Sequence, residues 1–296
     1  MKRNWIILGG ILILLTIAAF IVLQQPGEQS SSTSAGEPLF TYDSAAVDKI
    51  ELLATSGSVT LEKIGGQWKV TTPLSYPADV NAVAAAVGKG KELKVMSLVS
   101  TNPAKQTTFS VDSSATLVRI SANNTEVAAF RVGKPSNSWT ETYVRKEGSN
   151  DVHSVEGLLT MTFVKQPTDW RDKTIFKTDQ ALLSNVTFQF GDTTFMLTKK
   201  DSAAWVIGGE TTNSTTVTSF LSALANFQAD EFVDTAITAM PKLSTTIAAA
   251  GSQLRFYKRP DGKYYVQSSS SSQWFAIQEW KATQLLKRQK DFLAAS

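Results

Sequence analysis

The side chains that could support catalysis are few in this 296-residue chain, and the best pair is two carboxylates. Asp169 and Asp172 lie three positions apart, and a glycosidase needs only two Asp or Glu residues at a suitable separation. Arg171 and Lys173 alternate with them, which favours local ion pairing over a carboxyl group with a raised pKa. The pattern predicts no catalytic residue, and a carboxylate-dependent cell-wall or carbohydrate hydrolase stays open as an alternative.

The single histidine offers no second route to catalysis or metal binding. His153 stands between Asp151 and Ser154, and the chain has no cysteine, so no thiolate or Cys-ligated zinc is available. The spacings of a zinc protease, a nucleophile elbow or a phosphate-binding loop do not occur. We therefore predict a polar residue at a strand edge, and no metal-binding, cofactor-binding or catalytic residues.

Tryptophans provide a third kind of candidate, a ligand site built on aromatic rings. Trp68 and Trp205 each follow a strand and a turn, and we expect them to cover a sheet and pack on a helix. Trp139, Trp274 and Trp280 could instead stack on a sugar if they are exposed. An anchored glycan- or ligand-binding protein is therefore a second alternative.

The charge of the chain argues against nucleic acid as a partner. The formal net charge is +3, and two of the basic residues, Lys2 and Arg3, precede an apolar segment. The remaining chain is nearly neutral and has no cluster of Lys and Arg, which a nucleic-acid surface needs to displace counterions.

The amino terminus predicts a membrane anchor. Residues 5–23 carry no charge and include thirteen Ile, Leu, Val and Phe residues, enough for a helix that spans the hydrocarbon layer. Basic residues precede this segment, so residues 1–4 are expected in the cytoplasm and the rest of the chain outside it. Residues 24–46 are rich in Gln, Pro, Gly, Ser and Thr and are predicted to be a flexible linker.

The remainder of the chain is predicted to be an internal duplication, with one repeat in residues 47–175 and the other in residues 176–296. In each half, alternating strands, a glycine turn and a tryptophan lead into a helix with one apolar stripe. The first helix follows Pro77 and Asp79 and is expected to end at Gly88 and Gly90. The predicted fold class is α+β: an N-terminal transmembrane helix followed by two tandemly duplicated antiparallel sheet-plus-helix domains.

Further matches extend the repeat towards the carboxyl terminus. Leu254-Arg255-Phe256 is aligned with Val118-Arg119-Ile120, Trp274 with Trp139, and Ile277 with Val155. A helical stretch at 156–164 is aligned with a terminal helix at 279–293. The serine run 268–272 is expected to be a solvated hairpin loop.

Several short motifs, spread over most of residues 47–235, carry a resemblance to a known family. They are Val59-Thr60-Leu61-Glu62-Lys63, Gly66-Gln67-Trp68-Lys69-Val70, Tyr76-Pro77-Ala78-Asp79, Arg131-Val132-Gly133-Lys134, Thr142-Tyr143-Val144-Arg145 and Trp170-Arg171-Asp172-Lys173. With these motifs the chain resembles a bacterial family, domain of unknown function 4340. The resemblance implies a single-pass membrane protein. Such proteins are often encoded beside an ABC-transporter ATPase, its permease and an auxiliary protein similar to gliding-motility components. The resemblance carries over no catalytic residue.

Together these features predict an accessory protein and no enzyme. We expect a single-pass protein of the bacterial inner membrane, with its domains outside the cytoplasm and no cofactor. Its expected partners are the membrane and other membrane proteins, such as the permease or auxiliary subunits of an ABC transporter. Gly9-Gly10 would allow another helix to pack closely against the anchor.

Overall fold

The structure, a computed structural model, describes residues 35–201 and 204–294. Its contacts divide the chain into two compact units. The first comprises the chain up to Gln67, Thr71–Leu74 and Asn81–Gln166. The second comprises Trp68–Val70, Ser75–Val80 and the chain from Pro167 onward.

The first large sheet has nine strands in the order β4-β3-β2-β1-β6-β7-β8-β9-β5. Helix α1 (Val80–Lys91) separates β4 from β5, and a short helix α2 (Thr160–Phe163) follows β9. The strands are β1 Val47–Ala54, β2 Gly57–Ile64, β3 Gln67–Thr72, β4 Tyr76–Pro77, β5 Val95–Ser100, β6 Thr116–Ala122, β7 Thr125–Pro135, β8 Glu141–Lys146 and β9 Val152–Glu156.

A small sheet pairs β10 (Thr174–Lys177) with β15 (Asn226–Gln228). The second large sheet has nine strands in the order β14-β13-β12-β11-β17-β18-β19-β20-β16. Its strands are β11 Asn185–Phe190, β12 Thr193–Lys199, β13 Trp205–Ile207, β14 Glu210–Thr211, β16 Glu231–Val233, β17 Leu243–Ala249, β18 Ser252–Lys258, β19 Tyr264–Ser268 and β20 Trp274–Ile277. Its helices are α3 Ser214–Ala225, α4 Glu279–Leu285 and α5 Gln289–Phe292.

The remaining helical turns are short 3-10 segments between the strands. They are Ser44–Ala46, Pro103–Lys105, Thr107–Phe109, Pro167–Trp170 and Gln180–Leu182. Leu39 and Tyr42, in the segment predicted to be a linker, are buried, and the Tyr42 hydroxyl donates to the Val87 carbonyl at 2.8 Å.

The predicted class, α+β, is wrong, because the structure is mostly antiparallel sheet, with 45% strand and 21% helix. The second helical stretch shrinks to Thr160–Phe163, and the predicted terminal helix breaks into two short helices, Glu279–Leu285 and Gln289–Phe292. Phe163 packs on Phe130 of β7, and Phe292 packs on Phe188 of β11. This tertiary packing outweighs the helical spacing that suggested longer helices.

The membrane helix expected as part of that fold lies at residues 5–23, outside the described residues. In the parts of the chain that are described, no helix is both long and apolar enough to cross a membrane.

The two large sheets share one strand order, and their registers define which positions correspond. Ile50 pairs with Ile120, and Val186, which follows it by one repeat, pairs with Ala249. Strand β17 therefore corresponds to β6, and β18 corresponds to β7. The alignment of Leu254-Arg255-Phe256 with Val118-Arg119-Ile120 is wrong by one strand, because alternating apolar residues occur in every strand of such a sheet.

The same registers test the matches near the end of each repeat. Val144 pairs with His153, and Val266 pairs with Phe275, so His153 and Phe275 occupy equivalent positions. Ile277 is equivalent to Val155, as predicted. Trp274, however, lies in β20, so its match to Trp139 in the turn after β7 is wrong.

Two glycines are required by close packing within the first unit. Helix α1 continues through Gly90 to Lys91. A Cβ at Gly90 would lie 2.6 Å from the Tyr42 hydroxyl and 2.7 Å from Ile120 Cδ1, so the helix can pack this closely only with a glycine there. A Cβ at Gly133 would clash with the Phe109 carbonyl oxygen. Gly90 thus brings the helix against the sheet and does not end it.

Candidate site around Arg171

The backbone around Arg171 is fixed on both sides by hydrogen bonds within the second unit. Arg171 forms an isolated antiparallel bridge with Ala78. The amide of Asp79 donates to the Trp170 carbonyl at 2.9 Å, and the amide of Asp172 donates to the Pro77 carbonyl at the same distance. This pairing leaves little freedom in where the arginine side chain begins.

The Arg171 side chain is 3% exposed and is held by four groups. Its Nη1 donates to Asp234 Oδ2 at 2.7 Å, and its Nη2 donates to Gln273 Oε1 at 3.1 Å. Its Cζ lies 3.7 Å from the centre of the Phe232 ring and 4.4 Å from that of Tyr76. A planar guanidinium can combine such directed bonds with stacking on rings, which an ammonium cannot.

The partners of Arg171 are themselves oriented. Gln273 Nε2 donates to the Trp274 carbonyl at 2.8 Å and to the Val233 carbonyl at 3.2 Å, so its oxygen faces the arginine. Burial raises the pKa of Tyr76, while Arg171 opposes that shift. Arg171 Nε is buried and has no hydrogen-bond partner within the described residues.

The two carboxylates singled out in the sequence make local contacts. Asp169 Oδ1 lies 3.0 Å from Lys173 Nζ in an exposed pair, and Asp172 Oδ1 accepts from the Thr174 amide at 2.9 Å. Each therefore stabilises the turn around Arg171. The arginine itself uses Asp234, a residue that the sequence patterns did not single out.

His153 lies inside the first sheet and not at a solvated edge. It is 3% exposed, pairs with Leu98 in β5 and Val144 in β8, and its Nδ1 has no partner among the described residues. Burial lowers its pKa, the nearby Asp151 opposes this, and Lys146 adds to it. The equivalent position in the second sheet holds a phenylalanine.

The three tryptophans considered for ligand stacking differ in exposure. Trp139 is 70% exposed and Trp280 is 58% exposed. Trp274 is partly buried, and its ring centre lies 5.4 Å from that of Tyr257. Trp139 and Trp280 thus have accessible rings, whereas Trp274 packs on its own sheet.

A cavity of about 430 Å³ lies beside the Arg171 cluster and includes Tyr76 and Asp172 in its wall. A larger one, about 800 Å³, lies elsewhere in the second unit, between Trp205 and Leu221 of α3. Across the described ranges, no group of three or more His, Asp or Glu side chains could hold a metal ion.

These features define a sheet-rich protein of two units, with the buried Arg171 cluster in the second. The family model described as "Domain of unknown function (DUF4340)" matches residues 68–246, which is more than half of the chain. The chain therefore belongs to this family, and the resemblance noted from its motifs is confirmed. No curated protein and no solved structure matches it.

Proposed function

We propose that this protein is a membrane-anchored, extracytoplasmic accessory protein without catalytic activity that works by binding a protein partner. The proposed partner is a membrane subunit of an ABC-type transport system. The observation that carries the proposal is the turn between β7 and β8, which presents Trp139 to the outside. A tryptophan displayed in this way is the kind of side chain that dominates protein interfaces.

The turn that carries Trp139 is braced and strained. The Trp139 amide donates to the Ser136 carbonyl at 3.1 Å, and the Ser136 amide donates to the Glu141 carbonyl at 2.8 Å. The Trp139 φ angle is +59°, a left-handed conformation that costs a bulky residue on the order of 1–3 kcal/mol. Such a cost at an exposed tryptophan supports a role for its position.

A neighbouring segment adds apolar surface. The Thr142 hydroxyl donates to the Gly157 carbonyl at 2.7 Å and accepts from the Leu159 amide at 3.0 Å. These two bonds fix the start of the segment that carries Met161, 73% exposed, and Val164, 49% exposed. Large exposed apolar side chains are typical of a binding surface.

The binding role can be tested by site-specific cross-linking in native membranes. A photoreactive phenylalanine analogue at position 139 is expected to cross-link to the permease or another membrane subunit of an ABC transporter. The matched control carries the analogue at Trp280, which is exposed to a similar degree on the second unit. The proposal would be contradicted if position 139 gave no cross-link to a transporter subunit, or if positions 139 and 280 gave the same yield of that cross-link.

The proposed location can be tested with topology reporters. A reporter that is active only outside the cytoplasm, fused after Ser296, is expected to be active in cells, because the basic Lys2 and Arg3 favour a cytoplasmic amino terminus. The matched fusion carries a reporter that is active only in the cytoplasm. Activity of this second fusion alone would contradict the orientation.

A further inference from the structure

The cavity of about 430 Å³ beside Arg171 has the size of a small-molecule site, for which about 300–1,000 Å³ is usual. Its walls come from four places in the second unit. They are Tyr76 in β4, the strand Thr174–Lys177, the turn between β17 and β18, and the serine-rich turn after β19. The cavity is therefore formed by residues far apart in sequence.

The wall of this cavity is rich in hydroxyl groups, from Tyr76, Thr174, Thr178, Ser252, Ser270 and Ser271. A hydroxyl both donates and accepts hydrogen bonds, so the wall complements a ligand that also carries hydroxyls. Only two of its side chains are charged, Asp172 and Lys177, and their charges balance. This balance favours a neutral ligand over an anion or a cation.

Several of these groups have no partner within the described chain. No hydrogen bond is formed there by the hydroxyls of Thr174 and Ser252 or by the ammonium of Lys177. Asp172 uses Oδ1 for the Thr174 amide and leaves Oδ2 for a ligand. Unpaired donors and acceptors that converge on one cavity are what fix the orientation of a bound molecule.

The surrounding contacts hold these groups in place without a ligand. The Ser271 hydroxyl accepts from the Gln273 amide at 3.1 Å. The Gln253 amide donates to the Ser269 hydroxyl, and the Ser269 amide donates to the Gln253 carbonyl, both at 2.9 Å. The serine run is therefore an ordered wall, and an ordered site loses less entropy when it binds a ligand.

We propose that this cavity binds a neutral saccharide of one or two rings. Asp172 accepts hydrogen bonds from adjacent sugar hydroxyls, Thr174 and Ser252 bind further hydroxyls, and Lys177 donates from the rim. The cavity belongs to the second unit and Trp139 to the first. The proposal therefore does not depend on the proposed protein partner.

The test is saturation-transfer NMR on the full chain in a detergent without a sugar headgroup, because a glycoside detergent would compete. The probes are glucose, N-acetylglucosamine and maltose. We expect magnetisation transfer to at least one of them, and affinity about tenfold or more lower in Asp172→Asn, because a hydrogen bond to a charged group contributes about 1.5–3 kcal/mol. Thr174→Val is expected to weaken binding about fivefold, the value of one neutral bond of about 1 kcal/mol.

Matched controls separate the site from general effects. Asp169→Asn removes a carboxylate three positions away that is paired with Lys173, and Thr194→Val changes an exposed threonine in β12; both are expected to bind normally. Asp172→Asn keeps Oδ1 for the Thr174 amide, and circular dichroism checks that its fold is unchanged. Absence of binding to all three sugars, unchanged binding in both site variants, or displacement of the sugar by inorganic phosphate would overturn the proposal.

Discussion

Replacing Arg171 by lysine should destabilise the second unit although the charge is kept. Lysine cannot stack a planar group on Phe232 and Tyr76, which lie 3.7 and 4.4 Å from the guanidinium carbon. Each such contact contributes about 0.5–1 kcal/mol, and the lost bond to Gln273 contributes about 1 kcal/mol. The expected cost of Arg171→Lys is therefore about 2–3 kcal/mol.

Asp234→Asn tests the charge partner in the same cluster. A fully buried pair that loses one partner costs about 3–5 kcal/mol, but the Asp234 side chain is 38% exposed. Solvent therefore screens part of the charge left on Arg171, and we expect a cost of about 1–2 kcal/mol. The control Asp169→Asn breaks an exposed pair with Lys173 and should cost less than about 0.5 kcal/mol.

Hydrogen exchange measured by mass spectrometry can follow this loss in the full chain. A loss of about 2–3 kcal/mol corresponds to at least roughly thirtyfold faster exchange. We expect it in peptides that contain β16 with the following Asp234, and β20 with the preceding Gln273. Peptides from the first sheet report on the same sample as an internal reference. Exchange in Arg171→Lys within threefold of the wild type, or equal to that in Asp169→Asn, would refute the reasoning.

Two further predictions concern the first unit. His153→Phe should raise stability by about 1 kcal/mol, because it removes a buried nitrogen without a partner at a position equivalent to Phe275. Burial lowers the pKa of His153 from 6.5, so the unfolded chain binds the proton more readily; wild-type stability should be full above about pH 6.5 and fall as the pH drops below it. Urea unfolding at about pH 8 and about pH 5.5 should show that the free energy of unfolding falls less in His153→Phe than in the wild type. Equal losses in the two proteins would contradict the role given to His153. Gly133→Ala should cost about 1–3 kcal/mol, because its Cβ would meet the Phe109 carbonyl. Gly88→Ala has open space around its Cβ and should stabilise α1 by about 0.5–1 kcal/mol. Equal urea midpoints for the two variants would refute the packing argument.

Local features of the fold could be read from the sequence because their causes are local. The glycine turn predicted in the first half is formed by Gly65-Gly66, and both residues have positive φ angles, +59° and +81°. Asn123-Asn124 forms a similar turn between β6 and β7, and its φ angles are +51° and +61°. Asn and Gly tolerate this conformation better than other residues do, so the residue types alone indicated the turns.

The sequence predicted only part of the candidate site around Arg171. The motif around Arg171 was recognised, but its acceptors Asp234 and Gln273 lie 63 and 102 positions away. No spacing rule links residues so far apart in one sequence. The interpretation of Asp169 and Asp172 as the notable groups followed from proximity in the chain, whereas the buried charge beside them uses other partners.

By itself, the sequence determined the strand-and-turn pattern, the first helix after Asp79 and the family, because alternation, turn residues and short motifs are properties of neighbouring residues. Only the tertiary structure decided that sheets dominate, that His153 is buried where the second sheet has Phe275, and which residues surround Arg171. Strand order and burial arise from hydrogen bonds and packing between distant segments, and a pattern within one segment carries no information about its distant neighbours.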